Sequence, residues 1–489
     1  AKLPACARGG RSTFGSMGRS ARAFFWLTAG VFLVLLLPRL AQDGMFMDGE
    51  LYAAVAHNEA LGYGTFWQPR FSVVGVAGMT TFHEHPPLFF GLLAIWFKVF
   101  GSGFWVERLY ALCMALLVAW GIMGIWRLSL PPKLGRRTAW RPVLLWVIIP
   151  TVFWSVHNNM MENTMAVFTT AAVWCVMKAR EGKRTLIALA GILVFLAALT
   201  KGLPGLFPLA APVLFGLILD RGKLGRGVID SIIMTAIVVG AIALLWYLPG
   251  SNANLRPYVE KRLLHRIAEV PTVEYRLASL EMLLSNLLGP LVIAAVLWWI
   301  GGGKTVPGDT GRLRQSLALL LVGLSGVLPL MLTMVQKSFY MGAALPIMAL
   351  SVARPVHRQI VVLMDRAVLN PLIQRLVRGT GIVLVIGALV AAVILFGSPG
   401  RDAELLGDVH RIGEVVPPGT TVGLPNGMWD DWSLQTYLMR YHSISLDATV
   451  AEHPWYITGK DGVPPIPGAY HKLDIGLQRT ALWALGGPR

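Results

Sequence analysis

Long apolar runs alternate with short connections, most of them basic, up to about residue 396. A helix that crosses a bilayer needs roughly 20 mostly apolar residues. On that criterion the candidate spans are Phe24 to Leu40, Trp105 to Trp126, Pro142 to Val156, Met160 to Met177, Leu186 to Leu199, Leu203 to Leu219, Val228 to Leu248, Leu280 to Ile300, Leu317 to Val335, Tyr340 to Val352 and Gly381 to Phe396. The run Leu88 to Phe100 is shorter and carries Lys98, so it reads as an amphipathic helix lying at the interface.

Parity supports that reading. With Leu88 to Phe100 outside the count, the basic loops at Lys133 to Arg141, Lys178 to Arg184, Arg221 to Arg226 and Arg354 to Arg366 all fall on one side, which the positive-inside rule makes cytoplasmic. Counted as a span, it would move them all outside. With the N-terminus inside, Asp48 to Pro87, His157 to Asn163, Lys201, Ser251 to Ser279, Gln336 to Phe339 and the C-terminal tail share the outer face. The polar residues that are not loop charges therefore converge on one side.

Beyond Phe396 hydropathy drops. Val422 to Leu424, Ser443 to Leu446, Tyr456 to Thr458 and Ala481 to Leu485 read as strands, with Trp432 to Arg440 as a helix between them. The expected fold is an all-α polytopic membrane protein, with about eleven spans plus interfacial helices, and a small C-terminal α/β extracytoplasmic domain. Residues 1–23 form a basic cytoplasmic tail, 24–397 the membrane domain with its first outer loop at 42–104, and 398–489 the outer domain.

Composition agrees with this division. Among 489 residues, 55% are hydrophobic and only 14% charged, with 17 Trp, which exceeds what a water-soluble core needs. The net charge of +17 resides in the loop clusters and forms no basic stripe interleaved with aromatics, so nucleic acid is not an expected partner. Cys6, Cys113 and Cys175 suggest neither a disulfide framework nor a CxxC site. The first apolar run follows Arg8, Arg11, Arg19 and Arg22 with no small-x-small cleavage signal after it, and reads as a retained anchor. Residues before Met17 read as a disordered tail and are candidates for sequence outside the natural start. An Ala/Arg/Gly/Val-rich composition points to a bacterial plasma (inner) membrane.

The chemistry-bearing residues gather in the first outer loop. Asp48 and Glu50 head an expected helix, Leu51 to Leu61, where acids are favoured by the backbone dipole. A carboxylate there can equally act as a general base on an attacking hydroxyl. His83, Glu84 and His85 precede Pro86-Pro87, whose rings impose an extended approach to the interfacial helix. Neighbours on an extended chain point to opposite sides, which disfavours one metal ion held by all three; a divalent ion at His83 and Glu84 stays an open alternative, and no cofactor is required. His85 also suits a phosphate as cation or donor.

These residues carry a family resemblance. Asp48 with Tyr52 four positions on, then Glu84-His85-Pro86-Pro87-Leu88 and Arg108-Leu109, resemble the first outer loop of the GT-C polyprenyl-phosphate-sugar glycosyltransferases, a group that includes protein O-mannosyltransferases and lipid A aminoarabinose transferases. Lys337, Tyr340 and Pro346 resemble a second family motif. The resemblance runs from about Phe24 to Val352 and implies a lipid-linked sugar donor, an active site away from the cytoplasm, and Asp48 as the acid that activates the acceptor. The family usually has Asp-Glu adjacent, whereas Gly49 intervenes here and leaves Glu50 displaced. The mannosyltransferases have His where His85 stands and the aminoarabinose enzymes have Lys, so this position does not select the sugar.

The implied reaction is an inverting displacement, in which the acceptor oxygen attacks the anomeric carbon and polyprenyl phosphate departs. Lys201 and Lys337 sit at outer helix ends, against the positive-inside trend, as partners for that phosphate or as interfacial lysines reaching for the headgroups. The loop Asn252 to Arg276, with Arg262 among several charges, reads as a surface amphipathic helix or as a lid over the donor. His157, Asn158, Asn159 and Glu162 either line the sugar pocket or cap a tight turn. Trp429, Asp430, Asp431 and Trp432 suit glycan contact or core packing with a helix cap. Two other classes are the alternatives: a lipid-linked-sugar transporter, whose expected symmetric halves and Gly/Pro-broken helices are not seen beyond a local break at Gly202-Leu203-Pro204-Gly205, and a non-catalytic subunit that binds lipid or a partner, which the displaced Glu50 keeps open. The acceptor, whether protein, lipid or glycan, is not encoded in any motif.

Overall fold

A computed structural model describes residues 13–75, 80–220, 222–263, 271–301, 310–466 and 468–486. Helix α1 (Thr13–Leu40) leads to α2 (Met47–Ala60), a hairpin of β1 (Gly64–Thr65) and β2 (Gln68–Pro69), then α3 (Leu88–Phe100) and α4 (Trp105–Leu128). The chain continues through α5 (Pro132–Thr138), α6 (Trp140–Val147), α7 (Pro150–His157), α8 (Met161–Arg180), α9 (Leu186–Lys201), a 3-10 segment Leu203–Ala210 and α10 (Ala211–Ile218). Next come α11 (Leu224–Tyr247), α12 (Pro249–Pro257), α13 (Ala278–Ile300), α14 (Thr310–Val327), α15 (Leu345–Ala353), α16 (His357–Leu369) and α17 (Pro371–Leu395).

Among the described residues, six helices are long and apolar enough to cross a membrane, or eight if two bent pairs each count as one span. The bends explain the distance from the eleven expected runs. Pro150 opens α7 after extended Ile149, and the pair Pro132–Val147 and Pro150–His157 turns through 78°. The expected span at Leu203 begins instead as a 3-10 segment holding Pro204 and Pro208. Tyr340 likewise falls in a short 3-10 turn, Ser338–Met341, before α15 starts with Pro346 in its first turn.

Close backbone contact explains how α1 pairs with α17. A Cβ on Gly30 would stand 2.7 Å from the Gly381 carbonyl, and one on Gly381 would stand 2.5 Å from the Leu27 nitrogen. Small residues at such a crossing let two apolar helices pack where no water-driven force acts between them. Helix α3 has the two-faced character its sequence suggests. Phe89, Phe90, Leu93 and Phe97 are buried at helical spacing, while Ile95, Lys98, Val99 and Phe100 are exposed.

The tail forms a five-stranded sheet in the order β4-β3-β5-β7-β6, from β3 (Thr421–Gly423), β4 (Ser445–Asp447), β5 (Trp455–Gly459), β6 (Tyr470–Leu473) and β7 (Thr480–Leu485). Strand β3 is parallel to both neighbours and the β5-β7-β6 edge is antiparallel. Two helices, α18 (Ala403–Val415) and α19 (Trp432–His442), complete this layer. Helix α18 and strand β6 lie outside the expected elements, although Leu405, Leu406, Val409 and Ile412 form a plain apolar stripe.

Helix α19 docks this domain onto α2. The Arg440 guanidinium donates to both oxygens of Glu107 at 3.1 and 2.8 Å and to the carbonyls of Ser102 and Gly103 at 3.1 and 3.2 Å, with the two side chains 1% and 0% exposed. The Tyr437 hydroxyl donates to the Met45 carbonyl and accepts from the Met45 amide, and the Tyr441 hydroxyl donates to Asp43. The segment entering α2 is thus fixed from the tail side.

Candidate active site

The first turn of α2 is pinned from both sides. Helix α2 starts at Met47, four residues before the expected Leu51, so Asp48 and Glu50 lie inside its first turn. There they meet the positive end of the helix dipole. The Phe46 amide donates to the Asn158 side-chain oxygen at 2.7 Å, and the Asn158 amide group donates to the Trp154 carbonyl. The same approach accounts for Gly49. A Cβ there would stand 1.9 Å from the Asn158 carbonyl oxygen, so no side chain fits between the two acids. Gly49→Ala is expected to push α2 off this seam, at a cost of about 1–3 kcal/mol. Thermal unfolding of the purified variant, together with its turnover, measures that cost.

Asp48 is half-buried and faces a charged cluster assembled from distant segments. Burial raises its pKa, the Lys201 and Lys337 ammonium groups pull it down, and the net position is above the ordinary value of 3.8. The Lys201 ammonium donates to Glu162 Oε1 at 2.5 Å, with both side chains buried. It also stands 5.2 Å from the centre of the Tyr340 ring and 5.5 Å from that of Phe339, while Lys337 stands 5.8 Å from Phe339. The Coulomb field of Asp48 reaches Glu162 as well. Five expected residues, Asp48, Glu162, Lys201, Lys337 and Tyr340, are therefore neighbours.

Glu50 is placed elsewhere. Two positions along a helix is about 200°, so its carboxyl points away from Asp48 and toward Glu107, Arg108 and Arg440. Its side chain is fully buried, neither oxygen has a hydrogen-bond partner among the described residues, and burial followed by the nearby Glu107 charge raises its pKa well above the ordinary value. Burial beneath the tail domain thus favours the protonated form of this carboxyl.

The His83-Glu84-His85 stretch borders the same region. The Tyr52 hydroxyl and His85 Nε2 share a buried hydrogen bond of 3.1 Å, with Tyr52 packed edge-on to Phe89 and Phe90. No group of three or more His, Cys, Asp or Glu side chains converges on a metal-sized site among the described residues. Next to His85, Pro86 lines an apolar groove of about 230 Å³ with Leu199, Gly202, Leu206, Trp246 and Tyr258. Gly202 follows Lys201 directly, so the groove and the charged cluster meet at consecutive residues of the chain.

The other expected residues take different places. Arg108 is buried and donates to the carbonyls of His157 (2.6 Å) and Gly44 (2.8 Å), tying α4 to the approach to α2 rather than facing Asp48. Asn159 is buried in the turn before α8 with φ of 48°, in the left-handed region asparagine tolerates, and its amide nitrogen has no partner among the described residues. The Arg262 side chain lies outside the described residues, as does the middle of its loop. Asp431 caps α19 by accepting from the Leu434 amide, and Trp432 packs on the α2–α3 core, so the structural reading of that stretch holds. The Arg440–Glu107 pair and the requirement for Gly49 carry no signal in local sequence, because each depends on a residue remote in the chain.

The fold of this site has solved counterparts. The chain superposes on the crystal structure of ArnT from Cupriavidus metallidurans bound to undecaprenyl phosphate with a TM-score of 0.64 and 15% identity, covering 95% of this chain and 98% of that one. The apo ArnT structure from the same organism gives a TM-score of 0.64 and 14% identity, over 94% and 97%. The chain has the GT-C glycosyltransferase fold. Residues 84–248 match the family described as dolichyl-phosphate-mannose-protein mannosyltransferase, a stretch that holds His85, Arg108, Glu162 and Lys201. No curated protein matches it by sequence.

Proposed function

We propose that this protein is an inverting membrane glycosyltransferase, which moves a sugar from a polyprenyl-phosphate donor to an acceptor hydroxyl on the extracytoplasmic face. One observation carries the reading: a half-buried carboxylate, Asp48, shares its surroundings with two ammonium groups, one of them on Lys201, the residue before Gly202 of an apolar groove. The isoprenoid tail occupies the groove, and its phosphate comes to rest by Lys201 and Lys337. The acceptor oxygen gives its proton to Asp48 and bonds to the anomeric carbon as the carbon–oxygen bond to phosphate breaks. The polyprenyl phosphate leaves as a dianion, whose added charge the lysines stabilise. Glu162 orients Lys201 at 2.5 Å, and the Tyr340 ring lies under the same ammonium.

The test is release of polyprenyl phosphate from a sugar-loaded donor by the purified full chain, followed across pH. Asp48 must be ionised to accept a proton, so turnover should rise with pH through a pKa above the ordinary carboxylate value. Lys337→Met removes one of the two charges that lower that pKa, so the acid limb should move to higher pH. Turnover without any acid limb, or an unmoved limb in the variant, contradicts the assignment. Transport of intact donor with no release would favour the transporter reading.

A further inference from the structure

A second cavity, of about 400 Å³, is lined by Gly44, Met45 and Asn158 next to the start of α2, but not by Asp48, Glu162, Lys201, Lys337 or Tyr340. Its polar lining is cationic: Arg39 from the end of α1, Arg108 from α4 and Arg401 from the link into the tail domain, with His157 beside them. Its apolar lining includes Val34 and Leu35, on the stretch of α1 that reads as a membrane span. We propose that this cavity is a binding site for the phosphate headgroup of an anionic bilayer lipid, entering along α1 with its acyl chains left against Val34 and Leu35.

The charge pattern favours an anion. Asp43 accepts from Tyr441 and from the Gly44 amide, and Asp402 pairs with Arg401 Nε at 3.2 Å, which leaves Arg39, Arg108 and the two amino groups of Arg401 as donors. Neither carboxylate lines the cavity. Arg39 spends one amino group on the Gly400 carbonyl (2.9 Å) and Gln42 (3.2 Å), which orients its guanidinium along the rim. Arg108 is 3% exposed, and its Nε–H is buried with no hydrogen-bond partner among the described residues. Buried donors without partners are costly in a folded chain unless a ligand or water satisfies them. A phosphate diester offers acceptor oxygens to a planar guanidinium in the geometry it prefers. The proposal does not depend on Asp48 being a base, because no residue of the charged cluster around Asp48 lines this cavity.

The test is native mass spectrometry of the detergent-purified full chain with phosphatidylglycerol, with phosphatidylcholine of the same acyl chains, and with inorganic phosphate. Phosphatidylglycerol should be retained at least about tenfold more tightly than phosphatidylcholine, the scale of one to two surface arginines acting on a lipid charge. The double variant Arg39→Gln/Arg401→Gln, whose two side chains are exposed and so tolerate change, should lose that preference with its unfolding temperature kept. Arg39→Lys/Arg401→Lys should keep most of the preference, and Asp48→Asn should keep all of it. Equal retention of the two lipids, or an undiminished preference in the glutamine variant, overturns the proposal. Displacement of phosphatidylglycerol by an equal concentration of inorganic phosphate also overturns it, since that marks a free-anion site.

Discussion

Asp48→Asn is expected to lower sugar transfer by about 10²–10⁴-fold, the range general-base removal typically costs. Asparagine has nearly the same shape but cannot take the acceptor's proton, so donor affinity and folding should change little. Donor release and donor binding, measured on one preparation of the full chain, separate these effects. Glu50→Gln is the matched contrast. Its carboxyl is fully buried, turned away from Asp48, and shifted toward the uncharged form that glutamine mimics, so turnover near that of the parent chain is expected. Two acids spaced by a single glycine should thus behave as a base and a bystander.

Arg440→Ala should destabilise the protein by about 3–5 kcal/mol, as breaking a buried ion pair from one side does. The guanidinium satisfies both Glu107 oxygens and two carbonyls, and removing it leaves a fully buried carboxylate next to Glu50. Activity should fall with it, because α19 is one of the two surfaces that hold the start of α2. Pairing it with Glu107→Gln should recover a large part of the loss, since no buried charge is then left uncompensated. Chemical or thermal unfolding of the parent, the two single variants and the pair measures the coupling. Simple additivity would show that the pair does not act as a unit.

The motifs were legible where the chemistry is local. Asp48, His85 with its prolines, Lys201 and Lys337 stand out because charged or kinked residues at the ends of apolar runs break a strong pattern. The drop in hydropathy after Phe396 coincides with the end of α17 at Leu395. Hydropathy could not show that Pro150, Pro204 and Pro346 open new segments within apolar runs, because composition alone does not distinguish a bent span from a straight one. Nor could it assign Arg108 and Glu50 to the docking side of α2, which depends on a tail helix over 300 residues away. Gly49 is the clearest case. As a sequence feature it is a departure from the adjacent-acid pattern, and only its distance to the Asn158 carbonyl turns it into a packing requirement.

In the proposed complex, a lipid-borne phosphate sits between Asp48 and the two lysines, with its tail in the apolar groove. A polyprenyl phosphate carrying a photoreactive group in its first isoprene units tests this most directly, by mapping where it attaches to the purified full chain. Attachment at Leu203, Leu206, Trp246 or Tyr258, displaced by unlabelled polyprenyl phosphate, is the expected result. Displaceable attachment confined to the exposed face of α17, at Val383 or Val390 for example, would contradict it.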